Sequence, residues 1–293
     1  MSRIEKALEK AVEIRESIKE VVPEEIITSD NQVALPRFEV GDAVIDPALV
    51  DKHIVCITEP HSSAAEQYKK LKARILKATA KDFLNAIMVT SSDIGEGKSI
   101  TAINLAVAMS NEIDYTVLLV DGDLRNPSIH KYFGIESKYG LGDYLMGRAK
   151  LQDVLIKTGI GKLVILPGGE PPENAAELLS SEKMKMLVQE MRLRYKDRYV
   201  IFDSSPLLVA ADSLSLGSYM EGIIFVIQEG RTSQKAAMQS LSLMKGWNIL
   251  GVVFNNVSKY LAKNLHPYYY LYGNEKYYKK SKDSVGIAPN RSI

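Results

Sequence analysis

The chain of 293 residues is poor in the residues that build disulfides and metal sites, with one cysteine and four histidines. Cys56 has no partner for an internal disulfide, and no cysteine and histidine residues stand at the spacing of metal ligands. We expect Cys56 to be a reduced, half-buried thiol without a functional role.

Long apolar runs are also missing. Stretches such as residues 117–120 and 223–227 are far shorter than the roughly 20 residues that cross a bilayer. The N-terminus lacks the hydrophobic region of a secretory signal. We expect a soluble, cytoplasmic protein.

Charge of one sign is not in excess, because 37 Lys and Arg residues face 36 Asp and Glu residues, for a net charge of +1. This balance does not predict nucleic-acid binding, so no nucleic-acid partner is expected. The composition, with 46% hydrophobic and 25% charged residues, is that of one large α/β domain with flanking segments.

The chain divides into four predicted parts. Residues 1–22 form an amphipathic helix, opened by a capping box of Ser2 and Glu5. This helix either packs on the domain or docks a partner. Residues 23–60, interrupted by prolines, form an extended or partly disordered linker. Residues 61–258 form the main domain, and residues 259–293 form a flexible tail.

Within the main domain, apolar strands alternate with helices. Ser62 or Ser63 caps a helix that continues to Thr79, and a strand at residues 85–90 leads through a glycine loop into a helix at residues 100–110. Further strands are predicted at residues 116–120, 163–166, 199–202, 222–228 and 249–254, and further helices at residues 174–195 and 233–245. The pattern predicts a mostly parallel sheet flanked by helices, with ligands at the carboxyl ends of the strands.

The glycine loop has the form of a phosphate-binding loop. Gly95 and Gly97 let backbone N–H groups point at anionic oxygens, Lys98 is expected to reach the β- and γ-phosphates, and Ser99 to ligate Mg²⁺. The match is incomplete because Ser92 stands where the strict pattern has glycine. The predicted nucleotide-binding residues here are Asp93, Ile94, Gly95, Glu96, Gly97, Lys98, Ser99 and Ile100.

Two acidic motifs follow apolar strands. Asp121 and Asp123 lie two residues apart after residues 116–120, and Asp203 ends the strand at residues 199–202. Asp203 has the form of a residue that holds magnesium. An aspartate after a strand is also a common helix cap or turn residue. Three such motifs in this order around one sheet favour a nucleotide site.

Tyrosines are concentrated in the tail. Seven of the 15 tyrosines lie beyond residue 259, and Tyr260 could pack on the last strand. The expected phosphate acceptors, interrupted by lysines and turn residues as in a flexible segment, are Tyr268, Tyr269, Tyr270, Tyr272, Tyr277 and Tyr278. A phosphate loop and a row of phenol acceptors suggest an autokinase.

These motifs together resemble the bacterial tyrosine kinases of polysaccharide export and capsule assembly, which carry a Walker A loop, an acidic Walker A′ motif and a Walker B motif. The resemblance runs from about residue 62 to residue 278. It includes residues 121–130, 140–145, 171–174, 177–179, 203–208 and 251–255. Residues 2–7 resemble the leader of exosortase-associated members.

The resemblance implies a P-loop NTPase fold of the ParA and MinD type and transfer of the γ-phosphoryl group of Mg-ATP to tail tyrosines in trans. It also implies that Asn255 contacts the nucleotide. As partners it implies an inner-membrane polysaccharide co-polymerase that activates the kinase and a tyrosine phosphatase that resets it. The kinase would then lie at the periphery of the inner membrane through its partner.

Ring assembly in this family uses a Glu-x-x-Arg-x-x-Arg helix, which corresponds here to Glu66, Lys69 and Lys72. Lysine keeps the charge but lacks the guanidinium fork, so a weaker ring is expected. These residues could instead be solvated helix charges. Other departures are Ile94, where the family often has proline, and Asn126, where it has a second arginine.

For the mechanism, Asp121 is expected to accept the tyrosine proton while Asp123 and Asp203 serve Mg²⁺, although Asp121 and Asp123 could exchange roles. The rival hypothesis is a ParA- or MinD-like ATPase switch, which characteristically has a second lysine where Asp93 stands. A nucleotide-binding scaffold without phosphoryl transfer is a third class. We also expect phosphorylation to reverse the positive charge of the tail and loosen the oligomer.

Overall fold

The structure is a computed structural model, and it describes residues 41–42, 45–194 and 197–258. The predicted N-terminal helix, the first part of the predicted linker and all six predicted acceptor tyrosines lie outside these residues. Of the helices within them, none combines the length and apolar character that a membrane span requires.

In the described part of the chain, eight strands form one sheet in the order β1-β4-β5-β3-β6-β2-β7-β8. Every neighbouring pair is parallel except β4 and β5. The strands are β1 (Gly41–Asp42), β2 (Ala86–Ser91), β3 (Thr116–Asp121), β4 (Ile156–Lys157), β5 (Leu163–Leu166), β6 (Arg198–Asp203), β7 (Gly222–Gln228) and β8 (Ile249–Asn255). The six strands predicted from the sequence are confirmed, and the two additional ones are only two residues long.

Helices cover both faces of the sheet. They are α1 (Val55–Thr58), α2 (Ser63–Thr79), α3 (Lys98–Ser110), α4 (Ile129–Tyr132), α5 (Leu141–Leu145), α6 (Leu151–Val154), α7 (Ala175–Leu179), α8 (Glu182–Arg194), α9 (Asp212–Gly217) and α10 (Gln234–Leu243). One core cluster joins the sheet to α3 and the other joins it to α7 and α8. As predicted, Ser62 caps α2, its hydroxyl accepting a bond of 3.1 Å from the backbone of Ala65.

The prediction of one helix over residues 174–195 is wrong, because two serines divide it. Helix α7 ends at Leu179, and the hydroxyl of Ser181 accepts a hydrogen bond of 3.2 Å from the backbone N–H of Met184. Serine hydroxyls compete in this way with the backbone carbonyls of a continuous helix. The chain therefore turns at residues 180–181 before α8 begins.

The last part of the predicted linker is folded onto the domain. Ile45, Val50 and Ile54 are buried in the core beside α3, and the backbone N–H of Cys56 donates a bond of 3.0 Å to the side chain of Asn104. The structure thus differs from a linker extending to residue 60, since residues 45–60 bury apolar surface that an extended segment would expose. Cys56 is half-buried, as predicted, and burial raises its pKa to about 11.

The strand order brings the predicted motifs to one edge of the sheet. Strand β2, which leads into the glycine loop, lies between β6 and β7, and β3 lies on the other side of β6. Asp203 pairs in register with Val89 of β2 and with Asp121 of β3. Because all three strands are parallel, their carboxyl ends meet at one site.

Candidate active site

The loop between β2 and α3 has the backbone that its glycines predict. Gly95 and Gly97 adopt φ values of +71° and +92°, a left-handed region that residues with a Cβ rarely occupy. Gly97 is the N-cap of α3, so the amino end of this helix opens directly on the loop. A helix amino end and the N–H groups of such a loop attract phosphate oxygens.

Glu96 ties the loop to its surroundings from within. Its side chain is buried, and Oε2 accepts hydrogen bonds of 2.8 Å and 3.0 Å from the backbone N–H groups of Ser92 and Asp93. Oε1 accepts a short hydrogen bond from the hydroxyl of Thr232, at the start of the turn into α10. Glu96 thus holds the loop against the segment that follows β7.

Asn255, the predicted nucleotide contact, lies at the end of β8 against the same loop. Its Nδ2 donates a bond of 3.0 Å to the backbone oxygen of Glu96. A Cβ placed on Gly97 would lie 1.9 Å from this Nδ2. The structure therefore gives Asn255 a role in bracing the loop, and its contact with the nucleotide stays a prediction.

Lys98 lies among the side chains predicted to serve magnesium. Its Nζ is 2.9 Å from Oδ2 of Asp123, 3.8 Å from Oδ1 of Asp203 and 3.1 Å from Oγ of Ser99. Burial alone would lower the pKa of Lys98, but the carboxylates of Asp203 and Asp123 outweigh it and raise that pKa. The lysine is a charged ammonium in this site.

Asp121 is fully buried, as is Asp203. Its Oδ2 accepts hydrogen bonds of 2.8 Å and 3.0 Å from the backbone N–H groups of Ser128 and Ile129, whereas Oδ1 is buried and bonds to none of the described residues. Burial, and next the charge of Asp203, raise the pKa of Asp121 to about 7. A carboxyl group with this pKa can exchange a proton near neutral pH.

Asp123 and Asp203 differ in how their oxygens are used. Asp123 accepts a bond of 2.9 Å from the hydroxyl of Ser205 in addition to its ion pair with Lys98. Asp203 is fully buried, and within the described part of the chain neither of its oxygens accepts a hydrogen bond. Burial raises its pKa, and the charge of Lys98 opposes this.

The residues present fit a magnesium ion. Two buried, unbonded oxygens on Asp203, beside the hydroxyl of Ser99 and the carboxylate of Asp123, are hard donors of the kind that Mg²⁺ prefers. No group of three or more carboxylate, histidine or cysteine side chains arranged as a metal cage occurs among the described residues. This is compatible with Mg²⁺, which is usually bound through one or two carboxylates, waters and substrate phosphates.

Sequence reasoning missed several residues that shape the site, namely Ser205, Asp212, Arg231 and Thr232. Asp212 is buried and binds the guanidinium of Arg125 through two bonds of 2.6 Å and 3.1 Å, which fixes the loop after Asp123. Ser205, two residues past Asp203, carried a weak positional signal. The turn that holds Arg231 and Thr232 carried none, because its role depends on contacts with a loop more than 130 residues away.

The predicted interface residues lie on α2 and have partners within the same chain. Lys69 lies 2.6 Å from Glu66 and donates a bond of 2.9 Å to the backbone oxygen of Pro60. Lys72 forms an ion pair with Glu112. Their contact with a second subunit stays a prediction.

Comparison with known proteins connects this geometry to a family. The family profile described as "ParA: NUBPL iron-transfer P-loop NTPase" matches residues 82–288. The tyrosine-protein kinase YwqD of Bacillus subtilis is 35% identical over 224 residues, which cover 75% of this chain and 92% of YwqD. The chain belongs to the bacterial tyrosine-protein kinases. The predicted ParA-type P-loop NTPase fold and the predicted tyrosine kinase activity are both confirmed.

Solved structures, among them a bacterial tyrosine kinase domain, share the fold. The chimerical protein CapA2B2 is 28% identical, with a TM-score of 0.66, and the match covers 78% of this chain and 97% of that one. The kinase domain of Escherichia coli tyrosine kinase ETK is 27% identical, with a TM-score of 0.64, over 70% of this chain and 82% of that one. Nucleotide binding is in keeping with the P-loop NTPase family that the profile describes, and its location at the loop of residues 93–100 stays a prediction.

Proposed function

We propose that this tyrosine kinase transfers the γ-phosphoryl group of ATP to tyrosines of its own C-terminal tail, in trans between subunits. The observation that carries the proposal is the meeting of Lys98, Ser99 and Asp203 with Asp121, a buried carboxylate that has one oxygen without a partner among the described residues. An ATPase needs only to orient water. A kinase for tyrosine needs a group that accepts a phenol proton.

The proposed step is an in-line displacement. The phenol oxygen of a tail tyrosine forms a bond to the γ-phosphorus, the bond from that phosphorus to the β–γ bridging oxygen breaks, and ADP leaves with the electron pair. Oδ1 of Asp121 takes the phenol proton. Lys98 and the N–H groups of the loop offset the charge on the transferring group.

Protonation chemistry supports Asp121 over Asp123 as this base. Tyrosine has an unperturbed pKa of about 10, and a base works best with a pKa near the operating pH. Burial gives Asp121 a pKa of about 7, whereas both oxygens of Asp123 are engaged by Lys98 and Ser205. Mg²⁺, when bound through Ser99, Asp123 and Asp203, would neutralise phosphate charge.

We propose a role in exopolysaccharide or capsule synthesis and export. This rests on the resemblance of the motifs and on the named kinases that share the fold. An inner-membrane polysaccharide co-polymerase would activate the kinase and hold it at the membrane, and a tyrosine phosphatase would reset the tail. Iron transfer, which the family profile names, is not proposed, because the matched segment contains no cysteine.

The trans transfer is tested by separating donor and acceptor. One full-length chain carries Lys98→Met with an intact tail, and the other keeps its active site but has phenylalanine at its six tail acceptors. Neither chain alone should label its tail with Mg-ATP, whereas the mixture should label the tail of the Lys98→Met chain.

Mass spectrometry of the tail peptides gives the answer. Transfer within one chain would be shown by two results together: the mixture stays unlabelled, and labelling of the wild-type tail does not change when the protein is diluted. If the wild-type chain hydrolyses ATP without tyrosine labelling, even beside a candidate activator segment, a ParA-like ATPase switch is the better description.

A further inference from the structure

An arginine outside the recognised motifs, Arg231, lies against the phosphate loop. The guanidinium of Arg231 is so close to Gly95 that a Cβ placed there would meet Nη2 at 2.9 Å and Cζ at 3.0 Å. Glycine is favoured at position 95 by its φ of +71°, whereas a Cβ there would only displace the far end of the arginine side chain. The contact joins the turn between β7 and α10 to the part of the loop that precedes Lys98.

The backbone of Arg231 is held in place by the same turn. The N–H groups of Arg231 and Thr232 donate to the backbone oxygen of Gln228 at 3.2 Å and 3.1 Å, and the hydroxyl of Thr232 accepts from the N–H of Gln228 at 2.8 Å. That hydroxyl also donates to Glu96 inside the loop. The backbone of Arg231 is thus held in a fixed position relative to the phosphate loop.

The guanidinium itself remains available. Arg231 is solvent-exposed, and its guanidinium makes no hydrogen bond or ion pair with another described residue. By contrast, Lys98 already compensates Asp123 and Asp203. A nucleoside triphosphate brings several further negative charges to a site in which the one ammonium group of Lys98 already faces two carboxylates.

We propose that Arg231 is a nucleotide-binding residue whose guanidinium contacts the phosphate chain from the β7–α10 turn. The backbone N–H groups of such a loop face phosphate oxygens, so a guanidinium over Gly95 lies beside that anion. The planar fork of arginine fits phosphate oxygens in pairs. Arg231 thus supplies a second cation, besides Lys98, to a loop whose early position 93 carries an aspartate rather than a positive charge. The inference rests on the proposed use of ATP but not on transfer to tyrosine.

The test measures nucleotide affinity of the full chain by titration calorimetry, comparing Arg231→Gln with wild type. Lys235→Gln is the matched control. Lys235 is exposed on the first turn of α10, and its replacement by glutamine removes one positive charge, as Arg231→Gln does. A charge-assisted hydrogen bond corresponds to a change of about tenfold or more in affinity. We expect Arg231→Gln to raise the Kd for Mg-ATP by about tenfold, and Lys235→Gln to leave it within about twofold.

Adenosine carries the adenine base but no phosphates. Used as a competitor, it distinguishes a contact of Arg231 with the phosphates from stacking of Arg231 on the adenine base. Adenosine affinity should be the same in wild type and Arg231→Gln. An equal loss for adenosine and Mg-ATP, or an unchanged Kd for Mg-ATP, overturns the inference. Arg231→Lys, which keeps the charge, is a second variant and should retain more affinity than Arg231→Gln. Because the Kd requires no phosphoryl transfer, this outcome is independent of whether the tail is phosphorylated.

Discussion

Replacing Asp121 with asparagine should stabilise the fold at alkaline pH while it slows phosphoryl transfer. The asparagine carbonyl can still accept the two hydrogen bonds from Ser128 and Ile129, so the loop keeps its geometry. What is lost is a buried negative charge. The substitution therefore separates the electrostatic cost of Asp121 from its structural contacts.

The magnitude follows from the pKa of this carboxyl group, which burial raises from 3.8 to about 7. Between these values the folded protein holds a proton that the unfolded chain has released, so the contribution of Asp121 to stability falls as pH rises and is smallest above about pH 7. One pK unit corresponds to about 1.4 kcal/mol. Between pH 5 and pH 8 the variant should gain on the order of 2–3 kcal/mol relative to wild type.

The assay is urea unfolding of both proteins at pH 5 and pH 8, without nucleotide and with a chelator present. Asp82→Asn, at an exposed aspartate, is the control and should give the same difference from wild type at both pH values. Transfer to tyrosine should fall by about 10²–10⁴-fold in Asp121→Asn. A stability difference that does not change with pH would refute the reasoning that burial makes Asp121 a base near neutral pH.

Three further predictions concern the loop, the helix α2 and the tail. Gly97→Ala should lower stability by about 1–3 kcal/mol and weaken Mg-ATP binding at least tenfold. The backbone at Gly97 is left-handed, and an added Cβ would collide with the side chain of Asn255. An unchanged urea midpoint and an unchanged Kd would contradict this prediction. Lys72→Glu should destabilise by about 1–3 kcal/mol, and adding Glu112→Lys should restore most of it, because the pair is partly buried; a double variant no more stable than Lys72→Glu would show that the ion pair does not matter. Phosphorylation of the tail (residues 268–278) should reduce oligomer size in light scattering, whereas a size independent of phosphorylation would rule out the charge switch.

Much of the sheet was predictable because its strands are buried on both faces. The residues of β2 are all buried, and those of β3 and β6 nearly so, and such strands appear in the sequence as continuous apolar runs. The short helices α4, α5, α6 and α9 were not predicted. They have four to six residues each, too few for a periodic pattern to be recognised.

In the site, the sequence predicted the motifs but not the contacts between them. Lys98, Asp121, Asp123 and Asp203 follow from local patterns at strand ends, and the structure brings them together. The bonds from Glu96 to Thr232, and the contact of Arg231 with Gly95, join segments distant in the chain. Such contacts depend on the order of β2, β7 and β8 in the sheet, which local patterns do not contain.

The most direct test of the account is mass spectrometry of the purified full-length chain after incubation with Mg-ATP. Wild type should gain phosphate on tyrosines between residues 268 and 278, and Lys98→Met and Asp121→Asn should gain none in the same time. Undiminished tyrosine phosphorylation in Asp121→Asn would contradict the assignment of the base. ATP hydrolysis by wild type without any tyrosine phosphorylation, with a candidate activator segment present, would contradict the autokinase itself.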